Sequence, residues 1–149
     1  MRAVAQRVRE SRVTVGDEVV GRIDHGLLAY VGAMRGDGPD DVAYVANKLV
    51  NLRVFEDDAG KMSRAVADTG GQVLLVPQFT LFGDVRRGRR PSFDDAELPD
   101  RARILFDELV EAVSKLGVGV ATGRFREEML VSTAVAGPIT ILLDSRKVF

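Results

Sequence analysis

Three short stretches of this chain hold residues whose types and spacing can do chemistry. The first is Pro77-Gln78-Phe79-Thr80. Proline inside a strand pattern removes a ladder donor and marks an edge or a bulge. N–H groups beside such a break are free to point at a ligand, and N–H groups aimed at one spot form an oxyanion hole. The Thr80 hydroxyl becomes a nucleophile only with a base beside it, and the local sequence supplies none. The same residues also suit a bulged edge strand, with Thr80 as a good β-former. The second stretch is Gly137-Pro138. Glycine escapes much of the restriction that proline imposes on its predecessor, and a Gly-Pro bond can be cis. A cis bond would aim two successive carbonyls in a similar direction, where they can hold an ammonium group. An ordinary turn or strand entry is the alternative. The third is Arg86-Arg87-Gly88-Arg89-Arg90, four arginines in five positions. Their guanidinium groups match phosphate geometry in bidentate fashion, and Gly88 lets the loop follow a curved backbone. A solvated loop neutralised by Asp94, Asp95 and Glu97 is the competing reading.

Other chemistries are closed off by what the chain lacks. With no cysteine there is no disulfide framework, thiolate metal site or cysteine nucleophile. The only histidine, His25, sits in Asp24-His25-Gly26 and reads as a turn residue. A site built on several histidines is therefore impossible. Asp57-Asp58 and Asp94-Asp95 read as solvated turn residues, and the spacing of the remaining acids suggests no metal site. No cofactor is expected. Arg7 and Arg124 stand next to strand patterns, either as buried ion-pair partners or exposed. The net charge of −1 means that nucleic-acid contact must come from a local patch. Neither a signal peptide nor a run of ~20 apolar residues is present, and the absence of cysteine suits a reducing, cytoplasmic setting.

The elements that must position these stretches follow from periodicity. Residues 2–9 alternate as a strand, and 12–15 and 18–23 flank Gly16-Asp17, a hairpin signal. The apolar run 27–31, bounded by Gly26 and Gly32, suits a buried strand. A helix is predicted over about 39–51, started by Pro39 with Asp40 and Asp41 in its first turn, and buried through Val42, Val45, Ala46 and Leu49. Residues 53–56 read as a short strand and 57–60 as a turn. A strand over 72–76 is interrupted by Pro77, and 79–82 resumes in extended form. Residues 84–97 read as a loop. A second helix spans about 99–116, with an apolar stripe of Ala102, Leu105, Phe106, Leu109 and Val113 and a stop at Gly117. Segments 120–125, 129–135 and 139–143 read as final strands. The expected fold is one α+β domain over 1–149. Its core is barrel-like, with a largely antiparallel or mixed sheet and two main helices.

Read together, these segments resemble the D-aminoacyl-tRNA deacylase family, known first as D-tyrosyl-tRNA deacylases. The likeness runs from Met1-Arg2-Ala3-Val4-Ala5-Gln6-Arg7-Val8 through Gly26-Leu27-Leu28, Asn51-Leu52-Arg53-Val54-Phe55-Glu56-Asp57 and Gly60-Lys61-Met62. It continues in Gln78-Phe79-Thr80-Leu81, Gly88-Arg89-Arg90-Pro91-Ser92-Phe93, Gly123-Arg124-Phe125 and Gly137-Pro138-Ile139-Thr140. Their order and spacing, rather than any one of them, make the match specific.

The resemblance implies a cytoplasmic homodimeric hydrolase that cleaves D-amino acids, and glycine mischarged on alanine tRNA, from aminoacylated tRNA. It implies active sites at the subunit interface, where the segment holding Gln78 and Thr80 meets the Gly137-Pro138 segment of the other subunit. The Gly-Pro bond is then cis, its carbonyls engage the substrate's α-amino group, and the segment excludes an L side chain. Arg7 helps to fix that geometry. An aminoacyl ester is already activated, so N–H groups at Phe79 and Thr80, helped by the ribose 2′-OH, would suffice without an obligatory Thr80 nucleophile. Two positions depart from the family pattern. Pro77 stands where Ser is usual, and Val135-Ala136 precede Gly137 where an Asn-containing segment is usual. A related branch with Pro in the first place acts on L-alanyl-tRNA through a trans Gly-Pro bond. Arg7 and the lack of that branch's Asn-Gly-Pro context favour the D-selective reading. A non-catalytic nucleic-acid-binding module is the alternative from another class.

Overall fold

The computed structural model describes all 149 residues. A long first strand, β1 (Arg2–Val15), turns through Gly16-Asp17 into β2 (Glu18–Ile23). Then follow β3 (Gly26–Gly32), helix α1 (Pro39–Asn51), the short hairpin β4 (Phe55–Glu56) and β5 (Met62–Arg64), and β6 (Gln72–Pro77). Helix α2 (Pro99–Lys115), β7 (Gly119–Thr122) and the long β8 (Leu130–Asp144) complete the chain. The main sheet runs β2-β1-β3-β6-β7, with β8 also paired to β1. Pairings of β1 with β2, β3 and β8 are antiparallel, while β3-β6 and β6-β7 are parallel. Parallel neighbours need a crossover; the stretch containing α1 makes the first and α2 makes the second. The mixed α+β architecture is as expected.

Strands β3 and β6 are buried on both faces, so they read as apolar runs rather than alternations. Leu27, Ala29, Val31, Val73 and Leu75 pack against α1 and α2 in the larger core. Their neighbours Leu28, Leu74 and Val76 point the other way, into a second core with Val8, Val13 and Ile23. The second core exists because the sheet curls. A Cβ placed on Gly21 of β2 would collide with the carbonyl oxygen of Thr122 in β7, so the two ends of the sheet nearly meet. Helix α1 begins where predicted, with Gly38 N–H donating to the Asp41 carboxylate at 2.9 Å. The expected stripes are buried, Ala102 only partly.

Three expectations need correction. Residues 79–82 form a 3-10 turn, not an extended strand; Pro77 ends the ladder and the following residues close i→i+3 bonds instead. Segments 129–135 and 139–143 are one strand, β8, and 2–9 and 12–15 are one strand, β1. Register irregularities in their pairing, between Gln6 and Val8 and between Val8 and Glu10, absorb the Gly-Pro interruption without ending the strand. The strand predicted over 120–125 is shorter, Gly119–Thr122, because the chain leaves the sheet to form a loop.

Curling can be tested at Gly21. Gly21→Ala should cost about 1–3 kcal/mol of stability through overpacking, read as a lower urea midpoint. An unchanged midpoint would mean that β2 and β7 do not approach as described.

Candidate active site

Parallel pairing carries β6 alongside β3 up to Val31 opposite Pro77. The next residue is then tied down: Gln78 N–H donates to the Val31 carbonyl at 2.7 Å. Gly32 permits this approach, since a Cβ there would lie 2.7 Å from the Gln78 oxygen and 3.0 Å from the Phe82 ring. The 3-10 turn Phe79–Phe82 starts at once. Phe79 and Thr80 are its first residues, and N–H groups in that position have no acceptor within the turn. Phe79 is exposed, with its ring edge-on to Phe93 at 5.0 Å. Gln78 Nε2 donates to Thr80 Oγ1 at 2.9 Å, so the hydroxyl has an amide partner rather than a base.

Beside this turn lies a cavity of about 170 Å³. Pro77, Gln78 and Phe79 form one wall, and Val31, Gly32, Ala33 and Met1 continue it. Ala102 and Phe106 of α2 and the loop residues Phe125, Arg126, Glu127 and Met129 close the other side. That second wall was not predicted as part of a site. Phe125 stood in a quoted segment, but nothing in its local pattern marks a pocket. Its ring is held by Arg103, 4.8 Å above it, and by Phe106 at 6.4 Å. Arg126 has a positive φ of 64°, which turns the loop back over the cavity. Glu127 is the one carboxylate in the lining.

The Gly-Pro stretch lies elsewhere in the protomer. The Gly137-Pro138 bond is cis. Arg7, nearly buried, holds this stretch: its Nε donates to the Ala136 carbonyl at 3.3 Å and its Nη1 to the Val54 carbonyl at 2.8 Å. Glu56 stands 3.8 Å from the same guanidinium. Thr140 accepts from Gln6 Nε2 at 3.2 Å. Gly137, Pro138 and Thr140 are themselves exposed. Residues 2–6 of β1 pair with β3 and with β8, so β8 occupies the opposite edge of β1. It lies three strand spacings from β6, about 14 Å. The structure thus joins Arg7 to the Gly-Pro stretch and Gln78 to the cavity, but does not join the two groups within one chain.

In the arginine loop, Arg86 is clipped to Asp84 by two side-chain bonds of 2.9 and 2.8 Å. Arg87, Arg89 and Arg90 form no ion pair. Asp94 instead accepts from the Ser92 hydroxyl at 2.7 Å, and Glu97 accepts from the Leu98 N–H at 2.8 Å. The neutralising acids are thus partly engaged elsewhere. Arg124 makes an exposed pair with Glu18 at 3.1 Å. His25 is a turn residue, its Nε2 3.2 Å from the Thr69 carbonyl. Asp57, expected to be merely solvated, organises its turn by accepting from Ser63, Lys61 and Ala59, which hold its pKa below the ordinary value.

Comparison with known proteins identifies the family. The D-Tyr-tRNA(Tyr) deacylase family profile matches residues 4–144. A D-aminoacyl-tRNA deacylase of Sorangium cellulosum (strain So ce56) is 57% identical over 150 residues, covering 100% of both chains. One of Desulforudis audaxviator (strain MP104C) is 54% identical over 149 residues, again with 100% of both covered. Among solved structures, a c-Myc DNA unwinding element binding protein superposes with a TM-score of 0.92 at 35% identity, over 97% of this chain and 98% of that one. A probable eukaryotic D-amino acid tRNA deacylase shares the fold, with a TM-score of 0.82 at 19% identity over 95% of this chain and 97% of that one. The chain belongs to the D-Tyr-tRNA(Tyr) deacylase family, whose members hydrolyse the ester that joins a D-amino acid to tRNA.

The clip at the base of the arginine loop has a pH signature. The Arg86 side chain, then its N–H, hold the Asp84 carboxyl down at about 2. A depressed carboxylate stabilises above its unfolded pKa and loses that contribution as pH falls through the folded value. The clip should therefore be intact at neutral pH and open near pH 2. Carboxyl-carbon NMR should place the Asp84 midpoint there, and Arg86→Ala should return it toward 3.8. A wild-type midpoint already at 3.8 would mean that the pair does not form.

Proposed function

We propose that this chain proofreads aminoacylated tRNA as a cytoplasmic homodimer, releasing D-amino acids and glycine and sparing L-aminoacyl esters. The observation that carries the reading is the junction at Pro77–Phe79. There a strand stops at a fixed point, the Gln78 N–H is bound to the Val31 carbonyl, and a turn starts at Phe79 beside a largely apolar cavity that Gln78 and Phe79 line; on this reading the N–H groups of Phe79 and Thr80 face the substrate. Two preset N–H donors in such a setting stabilise a developing oxyanion far better than water does. The ester is already activated, so the terminal ribose 2′-OH completes the chemistry without a side-chain nucleophile. The bond between the acyl carbon and the ribose oxygen breaks, water supplies hydroxide to the carbon, and its proton goes to the ribose oxygen.

The Gly137-Pro138 segment enters from a second copy on this reading. It is exposed, anchored by Arg7, and remote from Gln78 in its own chain. Exposed Leu130 and Leu142 on β8, together with Phe79, offer apolar surface for pairing. Carbonyls of the segment hold the substrate ammonium while its main chain blocks an L side chain. Discrimination then works by exclusion, and glycine has nothing to exclude. Arg87, Arg89 and Arg90 supply the phosphate contacts. No helix is long and apolar enough to cross a membrane.

Two other readings have a specific observation behind them. Pro77 in the cavity wall is the feature of the L-alanyl branch. The 35% identical structure is named for binding DNA, which suits a nucleic-acid-binding module. Incubation with D-Tyr-tRNA, L-Tyr-tRNA, Gly-tRNA, L-Ala-tRNA and a free D-amino-acid ester separates them. Release from the D and glycyl substrates alone is expected. Release of L-alanine alone would select the related branch, binding without release the module, and cleavage of the free ester alone a general hydrolase.

Thr80→Ala should keep measurable single-turnover deacylation, because the N–H survives the substitution. Loss to background in a folded variant would make the hydroxyl essential. Arg89→Ala should weaken tRNA binding and reduce the salt slope by about 1; an unchanged slope would remove the loop from the RNA interface.

A further inference from the structure

The far side of the cavity carries two cations without an ion-pair partner. Arg126 lines the cavity itself. Arg103, on α2 between the lining residues Ala102 and Phe106, lies 4.8 Å over the Phe125 ring. Other arginines are committed: Arg2 to Asp144, Arg7 to two carbonyls, and Arg146 to Asp37. Neither Arg103 nor Arg126 has a carboxylate within ion-pair reach, and both are exposed. Three acids are near in sequence. Asp107 and Glu128 are exposed, and Glu127, also exposed, shares the cavity lining.

Arg126 is also held in an uncommon conformation. Its loop is tied to the sheet by Gly123, whose N–H donates to the Leu75 carbonyl at 2.8 Å. The Arg124 N–H donates to Met129 Sδ at 3.3 Å, and the Glu127 N–H donates to the Arg124 carbonyl at 3.4 Å. Of the two central residues in that last turn, only Arg126 has a positive φ, 64°. This is the pattern of a type II turn, where glycine or asparagine is the ordinary occupant. Only one other non-glycine residue, Lys147, is left-handed. Glycine would make the turn more easily, so a long cationic side chain there is explained by what it reaches.

The chemistry of the ester says what lies within that reach. With the acyl carbonyl at the Phe79–Thr80 turn, the terminal ribose follows at once. The phosphodiester that joins this ribose to the preceding nucleotide is then within one nucleotide's length. Arg126 is on the wall opposite the turn, across a cavity of about 170 Å³. Guanidinium groups bind phosphate oxygens in bidentate fashion. Glu127 disfavours an anion inside the cavity, which keeps the phosphate at the mouth, where Arg126 and Arg103 are exposed. We propose that Arg126 clamps the last phosphodiester of the tRNA and so sets the acyl ester against the turn. The arginine loop is left with phosphates further along the strand. The kinetic consequence of the clamp rests on the deacylase reading; its binding consequence does not.

The test uses Arg126→Gly, which suits the left-handed turn and removes only the cationic arm. Kinetics compare the D-tyrosyl ester of adenosine, which has no phosphodiester, with that of the dinucleotide CpA, which has one. Tyrosine is uncharged, so its side chain does not engage the arginine. Rates are normalised to the folded fraction. The wild type should show KM for the CpA ester about tenfold below that for the adenosine ester, the size expected of a hydrogen bond to a charged group, with kcat alike. Arg126→Gly should erase this difference and leave the adenosine ester as it was. A wild type that does not distinguish the two esters, or a variant that keeps the distinction, overturns the clamp. So does an equal loss on both esters, which a role in loop packing alone would give. Uncharged CpA supplies the second readout, by NMR titration. Arg126→Gly should weaken its binding about tenfold and reduce the slope of log K against log salt by about 0.7. An unchanged slope overturns the proposal. If neither short ester is cleaved, this titration decides the clamp. If D-Tyr-tRNA is not cleaved either, the deacylase reading fails by itself, and the titration still stands.

Discussion

The parallel pairing of β3 with β6 is the constraint to which the rest of the site is referred. It brings Pro77 beside Val31 and hands the next N–H, that of Gln78, to the Val31 carbonyl. Proline has no N–H to extend the ladder, so the strand must stop within a residue of that point. A turn beginning there has its first donors held by the sheet rather than by a flexible loop. Positions fixed by a sheet are more precise than positions on loops. The absence of a side chain at Gly32 serves the same end, since any larger residue would push Gln78 and Phe82 away. The apolar strands Leu27–Val31 and Val73–Val76, buried on both faces, give this junction its rigidity.

A second consequence follows from the two edges of β1. One edge carries β3 and, beyond it, the Gln78 turn; the other carries β8 and the Gly-Pro stretch. No local rearrangement moves a segment across two intervening strands. A site that uses both must take them from different copies, and a two-fold interface supplies such an exchange twice over, once for each site. This is why the dimer belongs to the mechanism on the proposed reading and is not an accessory to it. Arg7 makes the arrangement workable from the other side, because its bonds to Ala136 and Val54 brace the exposed segment before any partner arrives.

Much of the fold was legible from period and punctuation. Pro39 and the acids after it marked α1, Gly117 marked the end of α2, and the apolar run 27–31 marked a strand buried on both sides. What misled was proline within β patterns. Pro77 and Pro138 look alike in sequence, yet one ends its strand in a 3-10 turn and the other rides inside β8. The difference comes from neighbours: β8 is held by β1 on either side of its irregularity, whereas β6 has no further partner beyond Val31. Residue types exposed Gln78, Gly137 and the arginine loop as candidates. Periodicity gave no sign of the far wall at Phe125 and Met129, because a loop carries no period.

The proposed selectivity also suits this architecture energetically. An apolar pocket that recognises a substrate by filling space gains only about 1–3 kcal/mol per methylene and discriminates poorly. A wall of main-chain atoms behaves differently, since a backbone tied into strand pairing both before and after the Gly-Pro bond resists retreat from an intruding side chain. Exclusion of one hand by such a wall needs no contact with the permitted side chain, so it places no demand on that side chain's identity. A proofreader that must accept many D-amino acids while refusing the common L forms is therefore better served by a rigid barrier than by a fitted pocket. The price is tolerance of glycine, and the rigidity it requires explains why the supporting bonds, from Arg7 to Ala136 and from Gln78 to Val31, are to backbone rather than to mobile side chains.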